Sequence, residues 1–280
     1  MLQQGRGNVI SGIHRCVNRC CRYNPCINGG VCQEICDPHS PRFNCTCPDT
    51  HTGLRCDRIK HPRNCNDIAK NGAAFTSGKY LIFDSANEAF YIFCDMESES
   101  GFLWALVQSF SLANEDMFEE KMFGTDFPVN HNTKNNVDWS SYRLSLPQME
   151  SLANYSTHFR VTCNFPTEGL QYTDYARAKL EGHDIFSGWN TQCRQYEYIN
   201  IRGIQCSDCT AGTKQKARSA WSIKSYQSKR EWGCDFDGSP EAIGSNERNF
   251  GHYEDGSVNT KHRCTSSPTS TTQYWFGAKR

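Results

Sequence analysis

Short apolar runs separated by polar residues recur along the chain after its first quarter. Residues 78–83 and 90–94 combine aromatic and β-branched residues on either side of a polar turn, which predicts a β-hairpin. A third apolar run covers residues 101–108. Further short strands are predicted at residues 159–163, 196–201 and 274–276. Loops rich in Asn, Ser and Gly join these runs, so the pattern favours a β-dominated α+β fold with long irregular connections.

One segment has the signals of a helix. Residues 144–153 place Ser145 at the N-cap position and Pro147 in the first turn, where each residue type is favoured. No apolar run approaches the ~18 residues of a transmembrane helix, so no membrane span is predicted. The residues after Met1 are polar and lack the apolar stretch of a secretory signal. We expect the sequence to be incomplete or processed at its start.

The composition adds constraints on the class of protein. Lys and Arg total 30 and Asp and Glu total 30, and this zero net charge disfavours a polybasic binder of nucleic acid or membranes. Only 37% of the residues are hydrophobic, whereas 17 are cysteines, nine of them before residue 58. This density predicts a small disulfide scaffold followed by a domain whose bridges supplement an ordinary core. So many cysteines predict an oxidising compartment, in which they form disulfides. The alternative is a cytosolic zinc protein, in which they are metal ligands.

The cysteine spacing of the first part is informative. Leaving out Cys36, the six cysteines from Cys21 to Cys56 are separated by gaps of 4, 5, 12, 1 and 8 residues. Cys45 and Cys47 form a C-x-C, which predicts bridges to two different partners. Cysteine pairs that bind zinc are instead separated by about two to four residues, because both thiolates must approach the tetrahedral metal from the same side.

The run from Asn24 to Cys32, with Cys45-Thr46-Cys47-Pro48 and the segment 53–56, resembles an EGF-like domain over residues ~20–57. The resemblance implies the bridges Cys21–Cys32, Cys26–Cys45 and Cys47–Cys56, with Cys20 as an alternative to Cys21. Cys16, Cys20 and Cys36 are additional to the family pattern. Their odd number leaves one thiol for a disulfide-linked partner or a missing segment. Calcium-binding members of the family carry acidic residues just before the first cysteine. Residues 13–19 are basic here, so this module is not expected to bind calcium.

A second resemblance begins at Cys65. Residues 65–68, 91–96 and 101–107 are similar to the opening of a fibrinogen C-terminal-like domain, and this implies a Cys65–Cys94 bridge. The pairing stays open for six later cysteines, namely Cys163, Cys193, Cys206, Cys209, Cys234 and Cys264. The family's usual Trp-Trp and Asn-Gly motifs are absent downstream, and residues 246–252 and 273–277 resemble the intelectin branch. The order of modules also resembles secreted matrix proteins of cnidarian calcified skeletons.

Two acidic loops are candidate calcium sites. Asp235 and Asp237 lie two residues apart, and calcium takes about six to eight oxygen ligands from loops of this kind. Asn246 stands where an EF-hand would carry glutamate, so the resemblance is to the Asp-x-Asp loop of fibrinogen-like domains. Glu254 and Asp255, together with the nearby His252, form the second loop. An ordinary solvated turn is the alternative at both places, and no other cofactor is expected.

The remaining motifs point away from catalysis. Cys206 and Cys209 form a C-x-x-C outside any thioredoxin-like context, which favours structural bridges over a redox or metal site. No Gly-x-Ser-x-Gly, His-Glu-x-x-His or phosphate-binding loop occurs, so no catalytic residue is assigned. Asn44 and Asn154 begin Asn-x-Ser/Thr sequons. Asn154 is the favoured glycosylation site because Asn44 lies beside a predicted bridge.

Four segments are therefore predicted: an irregular or truncated start at 1–16, an EGF-like domain at 17–57, a linker at 58–63 and a divergent fibrinogen C-terminal-like domain at 64–280. The fold class is small disulfide-rich β followed by β-dominated α+β. The leading hypothesis is a secreted, non-enzymatic matrix or adhesion protein that binds extracellular proteins or glycans, with a calcified skeletal matrix as one setting. The alternative is a calcium-dependent lectin of the fibrinogen-related or intelectin-like type.

Overall fold

The computed structural model describes residues 20–35, 43–72, 76–131, 136–253 and 258–280. The chain divides into a smaller unit, Met1–His61 with Lys70–Gly72, and a larger unit, Pro62–Ala69 with Ala73–Arg280. The break at His61 lies inside the segment that the sequence analysis assigned to a linker.

In its described residues, the smaller unit has four short strands and a core of cysteines. Strand β1 (Val31–Glu34) pairs antiparallel with β2 (Phe43–Thr46), and β3 (His51–Thr52) pairs with β4 (Arg58–Ile59). Strand β4 lies within the segment predicted as a linker. This strand was not predicted from the sequence, because two residues are too few to leave a pattern. The buried residues of this core are all cysteines, namely Cys26, Cys45 and Cys56. Cross-links therefore replace the apolar packing that so short a unit lacks.

The larger unit is built on one antiparallel sheet. Its strands are β5 (Gly78–Phe83), β6 (Ala89–Asp95), β7 (Phe102–Ser111), β8 (Ser141–Arg143), β9 (His158–Cys163), β10 (Tyr175–Lys179), β11 (Trp189–Ile201), β12 (Ile204–Lys216), β13 (Ser219–Ile223) and β14 (Thr271–Lys279). The spatial order is β13-β12-β11-β10-β9-β14-β7-β6-β5, and β8 pairs with Gln108–Phe110 of β7, beyond the part that pairs with β6. The last strand in sequence, β14, thus lies between β9 and β7 in the middle of the sheet.

Short helices cover this sheet. They are α1 (Cys65–Lys70), α2 (Glu115–Phe118), α3 (Leu146–Asn154), α4 (Phe165–Glu168) and α5 (Gln227–Trp232), with 3₁₀ turns at Leu112–Asn114, Ser239–Glu241 and Arg263–Thr265. Helix α3 begins after Ser145, whose backbone N–H donates to the Gln148 side chain at 3.1 Å. The predicted cap and first-turn proline are therefore confirmed. The predicted hairpin is also confirmed, as β5 pairs along its whole length with Ala89–Cys94 of β6.

The core follows the central strands. All ten residues of β7 are buried, as are the first seven of β14, and the fully buried aromatic residues include Trp104, Trp221 and Trp275. In contrast, β12 reads IQCSDCTAGTKQK and has no apolar alternation, so the sequence did not predict it. It pairs with β11 along most of its length and with β13 at Thr213–Lys216.

Seven disulfides occur among the described residues. Those in the smaller unit join Cys21 to Cys32, Cys26 to Cys45 and Cys47 to Cys56. Those in the larger unit join Cys65 to Cys94, Cys163 to Cys264, Cys193 to Cys234 and Cys206 to Cys209. The first four of these are the pairs that the family resemblances imply. Cys16 and Cys36 lie outside the described residues, so the leftover thiol stays a prediction.

Candidate functional site

The two predicted calcium ligands Asp235 and Asp237 turn to different partners. The Asp235 carboxylate accepts hydrogen bonds from the Thr210 backbone N–H at 2.9 Å and the Thr210 hydroxyl at 2.8 Å. The Asp237 carboxylate accepts hydrogen bonds from the Ser239 hydroxyl at 2.5 Å and the Ser239 backbone N–H at 3.1 Å. These hydrogen bonds lower the pKa of both carboxyls. Both groups are charged at neutral pH, and Asp235 accepts from strand β12 whereas Asp237 accepts within its own loop.

The second acidic loop lies partly outside the described residues, since Glu254 and Asp255 are not among them. The neighbouring His252 is buried, and its Nδ1 lies 3.2 Å from the Glu119 carbonyl oxygen. Within the described part of the chain, three metal-ligating side chains come within 4.8 Å of one another only at Cys163, His262 and Cys264. The two thiols there form a disulfide and cannot ligate. Calcium binding therefore stays a prediction.

A different feature of the larger unit has the geometry of a binding site. An open cavity of about 650 Å³ lies on the face of β10, β11 and β12. We call it the tyrosine cleft, and it is lined by Tyr172, Tyr175, Arg177, Glu197, Tyr198, Ser207 and Asp208. Register brings the strand residues together, because Tyr198 of β11 lies opposite Arg177 of β10 and Ser207 of β12. Tyr172 joins them from the loop after α4.

A buried carboxylate underlies the cleft. Glu99 is 3% exposed and accepts hydrogen bonds from the Tyr175 hydroxyl at 2.9 Å and from Arg160 Nη1 at 3.0 Å. It also pairs with Arg177 Nη1. Arg160 in turn pairs with Asp95 and lies over the rings of two buried tryptophans, Trp104 and Trp275. The positions of Tyr175 and Arg177 are thus fixed from beneath.

Arg177 is held from a second side. Its Nε donates to Glu197 Oε2 at 2.9 Å, and Glu197 Oε1 lies 3.1 Å from His158 Nε2. Burial raises the pKa of Glu197, but its hydrogen bonds with Arg177 and His158 outweigh this effect and lower it. Burial also lowers the pKa of Arg177, yet Tyr175 and the nearby carboxylates reverse that effect and raise it. The cleft therefore presents a fixed pair of opposite charges.

The three tyrosines form one packed cluster. Tyr172 is 49% exposed, and its ring centroid lies 5.2 Å from that of Tyr175 and 6.1 Å from that of Tyr198, in edge-on arrangements. The Tyr198 hydroxyl donates to Gln205 Oε1 at 3.1 Å. The cluster therefore presents the half-exposed side chain of Tyr172, which is packed against two other tyrosines, beside polar groups.

Sequence reasoning missed this site. It treated the aromatic residues as packing, and no motif links Glu99 to Arg160 and Arg177, which lie 61 and 78 positions later. The alternation Tyr175-x-Arg177 on one strand, with Tyr198 on the next, was the available signal. It becomes informative only once the register of β10 against β11 is known.

Comparison with known proteins covers limited parts of the chain. Residues 61–122 match the family described as fibrinogen beta and gamma chains, C-terminal globular domain. The protein eyes shut homolog of Danio rerio is 36% identical over 55 residues, which are 19% of this chain and 2% of that protein. Protein jagged-2 of Homo sapiens is 33% identical over 51 residues, 18% of this chain and 4% of that protein. The chain thus aligns with only a few per cent of these relatives' length.

These matches agree with the structure at a general level. The chain is β-dominated and rich in disulfides, and it contains a fibrinogen-like segment. Fibrinogen C-terminal domains are generally non-enzymatic, and the two relatives are extracellular proteins that contain EGF-like modules. None of the helices in the described part of the chain has the length and apolar character needed to cross a bilayer. The disulfides and the fibrinogen-like segment together indicate an extracellular protein.

Proposed function

We propose that this protein is secreted and acts as a non-enzymatic component of an extracellular matrix, where the larger unit binds a partner. The tyrosine cleft carries the proposal. Its charged side chains are held in place without a ligand, because Arg177 pairs with both Glu99 and Glu197. Its tyrosines are held by their contacts with one another. Pre-organised side chains lose little conformational entropy on binding, which favours recognition.

Retention on a natural matrix tests this function. Oxidised protein from a secretory host is labelled and applied to decellularised matrix laid down by cultured cells. We expect saturable retention by wild-type protein, and weaker retention by Tyr172→Ala. The matched control is Tyr155→Ala, because Tyr155 is 45% exposed in the same unit but lies outside the cleft. Retention no greater than that of an inert secreted protein contradicts the proposal.

The smaller unit serves in this proposal as an EGF-like spacer or docking module. The narrower proposal is that this matrix is that of a calcified skeleton. Calcium-rich mineral surfaces attract carboxylates, so a chain with zero net charge is not suited to direct contact with the mineral. A scaffold role within the organic matrix is therefore favoured over direct mineral contact. We expect the protein to bind the organic matrix in preference to calcium carbonate powder. Strong adsorption to the bare mineral contradicts the scaffold role.

A calcium-dependent lectin is the second candidate. It is favoured by the spacing of Asp235 and Asp237, which places two carboxylates two residues apart after Cys234. Glu254 and Asp255 are its remaining proposed ligands. Calorimetric titration of CaCl₂ into oxidised protein tests it, with the double variant Asp235→Asn/Asp237→Asn as control. Calcium heat that disappears in this variant, together with chelator-sensitive sugar capture, would establish the lectin.

N-glycosylation is a further proposal that follows from secretion. Asn154 is exposed at the last residue of α3, whereas Asn44 lies next to the bridged Cys45 on β2. We expect a glycan on Asn154 in protein from a secretory host. Intact mass before and after enzymatic deglycosylation checks this, and Asn154→Gln removes most of the difference. An unchanged mass difference in that variant assigns the glycan to another site.

A further inference from the structure

The half-exposed ring of Tyr172 is the most accessible apolar surface in the tyrosine cleft. Its edge-on neighbours Tyr175 and Tyr198 restrict its movement, with ring centroids 5.2 Å and 6.1 Å away. A rigid aromatic ring offers contact area at low entropic cost. A ligand with a flat apolar face of similar size, such as the C–H face of a pyranose ring, matches this surface.

The polar groups around the ring suit a hydroxylated ligand. Arg177 and Glu197 are each about one-fifth exposed and form an ion pair with an N–O distance of 2.9 Å. Ser207 and Asp208 are exposed on the neighbouring strand. A guanidinium supplies several donors in one plane, and a carboxylate supplies acceptors only. Neighbouring hydroxyls on a sugar ring are both donors and acceptors, so they can use both kinds of group.

The same geometry disfavours other small ligands. Ring centroids 5.2–6.1 Å apart place the tyrosines in contact with one another, so they do not enclose a gap for a methylated ammonium group. The carboxylates of Glu197 and Asp208 repel an anion. A neutral ligand with many hydroxyl groups remains.

We propose that the tyrosine cleft is a calcium-independent binding site for a neutral saccharide. The inference deepens the proposed function by naming the chemical class that the matrix partner presents. Tyr172 packs against the sugar ring, while Arg177, Glu197 and Asp208 hydrogen-bond its hydroxyls. Tyr175 and Glu99 are positioning residues, because Tyr175 is fully buried and Glu99 lies beneath the cleft.

The test is capture on an array of neutral, sialylated and sulfated glycans, with calcium in one arm and a chelator in the other. Oxidised full-length protein is used, and the best neutral glycan is then titrated by calorimetry. We expect Tyr172→Ala to weaken that binding about tenfold, the effect of losing one aromatic contact. The control Tyr155→Ala binds like wild type. Tryptophan fluorescence during unfolding verifies that both variants remain folded.

A second variant avoids the packing around Tyr172. Asp208 has a positive φ of 47°, a conformation that asparagine also tolerates, so Asp208→Asn preserves the backbone. We expect this variant to weaken neutral glycan binding severalfold while increasing capture of sialylated or sulfated glycans. Such a shift in preference does not arise from a folding defect.

Three outcomes overturn the inference. Glycan capture that requires calcium assigns recognition to another site, and equal losses in Tyr172→Ala and Tyr155→Ala remove the cleft from recognition. Absence of glycan capture with matrix retention intact refutes the saccharide class alone. In that case competition by a matrix protein, but not by free sugar, identifies a protein partner. Absence of matrix retention in wild type refutes the proposed function itself.

Discussion

Replacing Arg160 with methionine is the most direct test of the buried charges beneath the cleft. Arg160 has no exposed surface and pairs with both Asp95 and Glu99. Its guanidinium carbon lies 4.8 Å from the ring centroids of both Trp104 and Trp275. Methionine fills much of the same volume but cannot compensate the Asp95 carboxylate. Removing one member of a buried ion pair costs about 3–5 kcal/mol, and we expect Arg160→Met to lower the free energy of unfolding by that amount.

The pH dependence separates this effect from lost packing. Burial raises the pKa of Asp95, but Arg160 and the hydrogen bonds from Ser98 overcome that effect and lower it. Asp95 thus stabilises wild type at neutral pH, and this contribution is lost only as pH falls through the lowered pKa. In Arg160→Met, burial acts without the countercharge and raises the pKa of Asp95. The folded variant then binds a proton more readily than the unfolded chain, so its deficit shrinks as pH falls from 7 towards 4.

Denaturant unfolding measured by tryptophan fluorescence is the suitable assay. All six tryptophans lie at or beyond residue 104, so the signal reports on the larger unit alone. The exposed Arg230→Met is the control and should change the free energy of unfolding by less than about 0.5 kcal/mol. Arg160→Lys should recover part of the loss, because lysine keeps the charge without the planar stack. A deficit for Arg160→Met below about 1 kcal/mol, or one independent of pH, refutes the reasoning.

Two further predictions concern the same unit. Replacing the cysteines of the Cys163–Cys264 bridge, which closes a loop of 101 residues, should cost about 5 kcal/mol, whereas losing Cys206–Cys209, with a separation of 3, should cost about 2 kcal/mol or less. Denaturant midpoints of the two double-alanine variants check the order, and a larger loss for the short bridge contradicts it. Burial, with the charge of Arg194, lowers the pKa of His183 from 6.5 to about 4, so the unfolded chain takes up the proton first. Stability should therefore fall by about 3 kcal/mol between pH 6.5 and 4, and His183→Gln should lack that part of the pH dependence seen in wild-type unfolding curves.

Local sequence signals account for part of the fold. The hairpin of β5 and β6 and the helix α3 were predictable because aromatic alternation, a serine cap and an early proline act over a few residues. Strand β12 was not predictable, since its stability comes from two neighbouring strands rather than from its own side chains. The C-terminal strand β14 was recognised only in part, as residues 274–276, although it extends over Thr271–Lys279 at the centre of the sheet.

The candidate site depends still more on long-range structure. The sequence reasoning favoured acidic pairs close together in the chain, such as Asp235 and Asp237, because metal loops have local spacing. The charges beneath the cleft come instead from three separate places: Glu99 after β6, Arg160 on β9 and Arg177 on β10. Only the antiparallel pairing of β9 with β10, which sets Arg177 opposite Arg160, brings the two guanidiniums to one carboxylate.

The position of Glu99 gives these buried charges a role beyond stability. A buried ion pair often contributes no more to stability than well-packed apolar residues of the same volume, so stability alone does not explain its presence. Glu99, however, also accepts a hydrogen bond from Tyr175 and pairs with Arg177, and both side chains line the tyrosine cleft. An apolar substitute could fill the space but could not hold these two groups in position. The charges therefore link the sheet interior to the cleft, and loss of Glu99 should disturb the cleft more than its effect on unfolding alone would indicate.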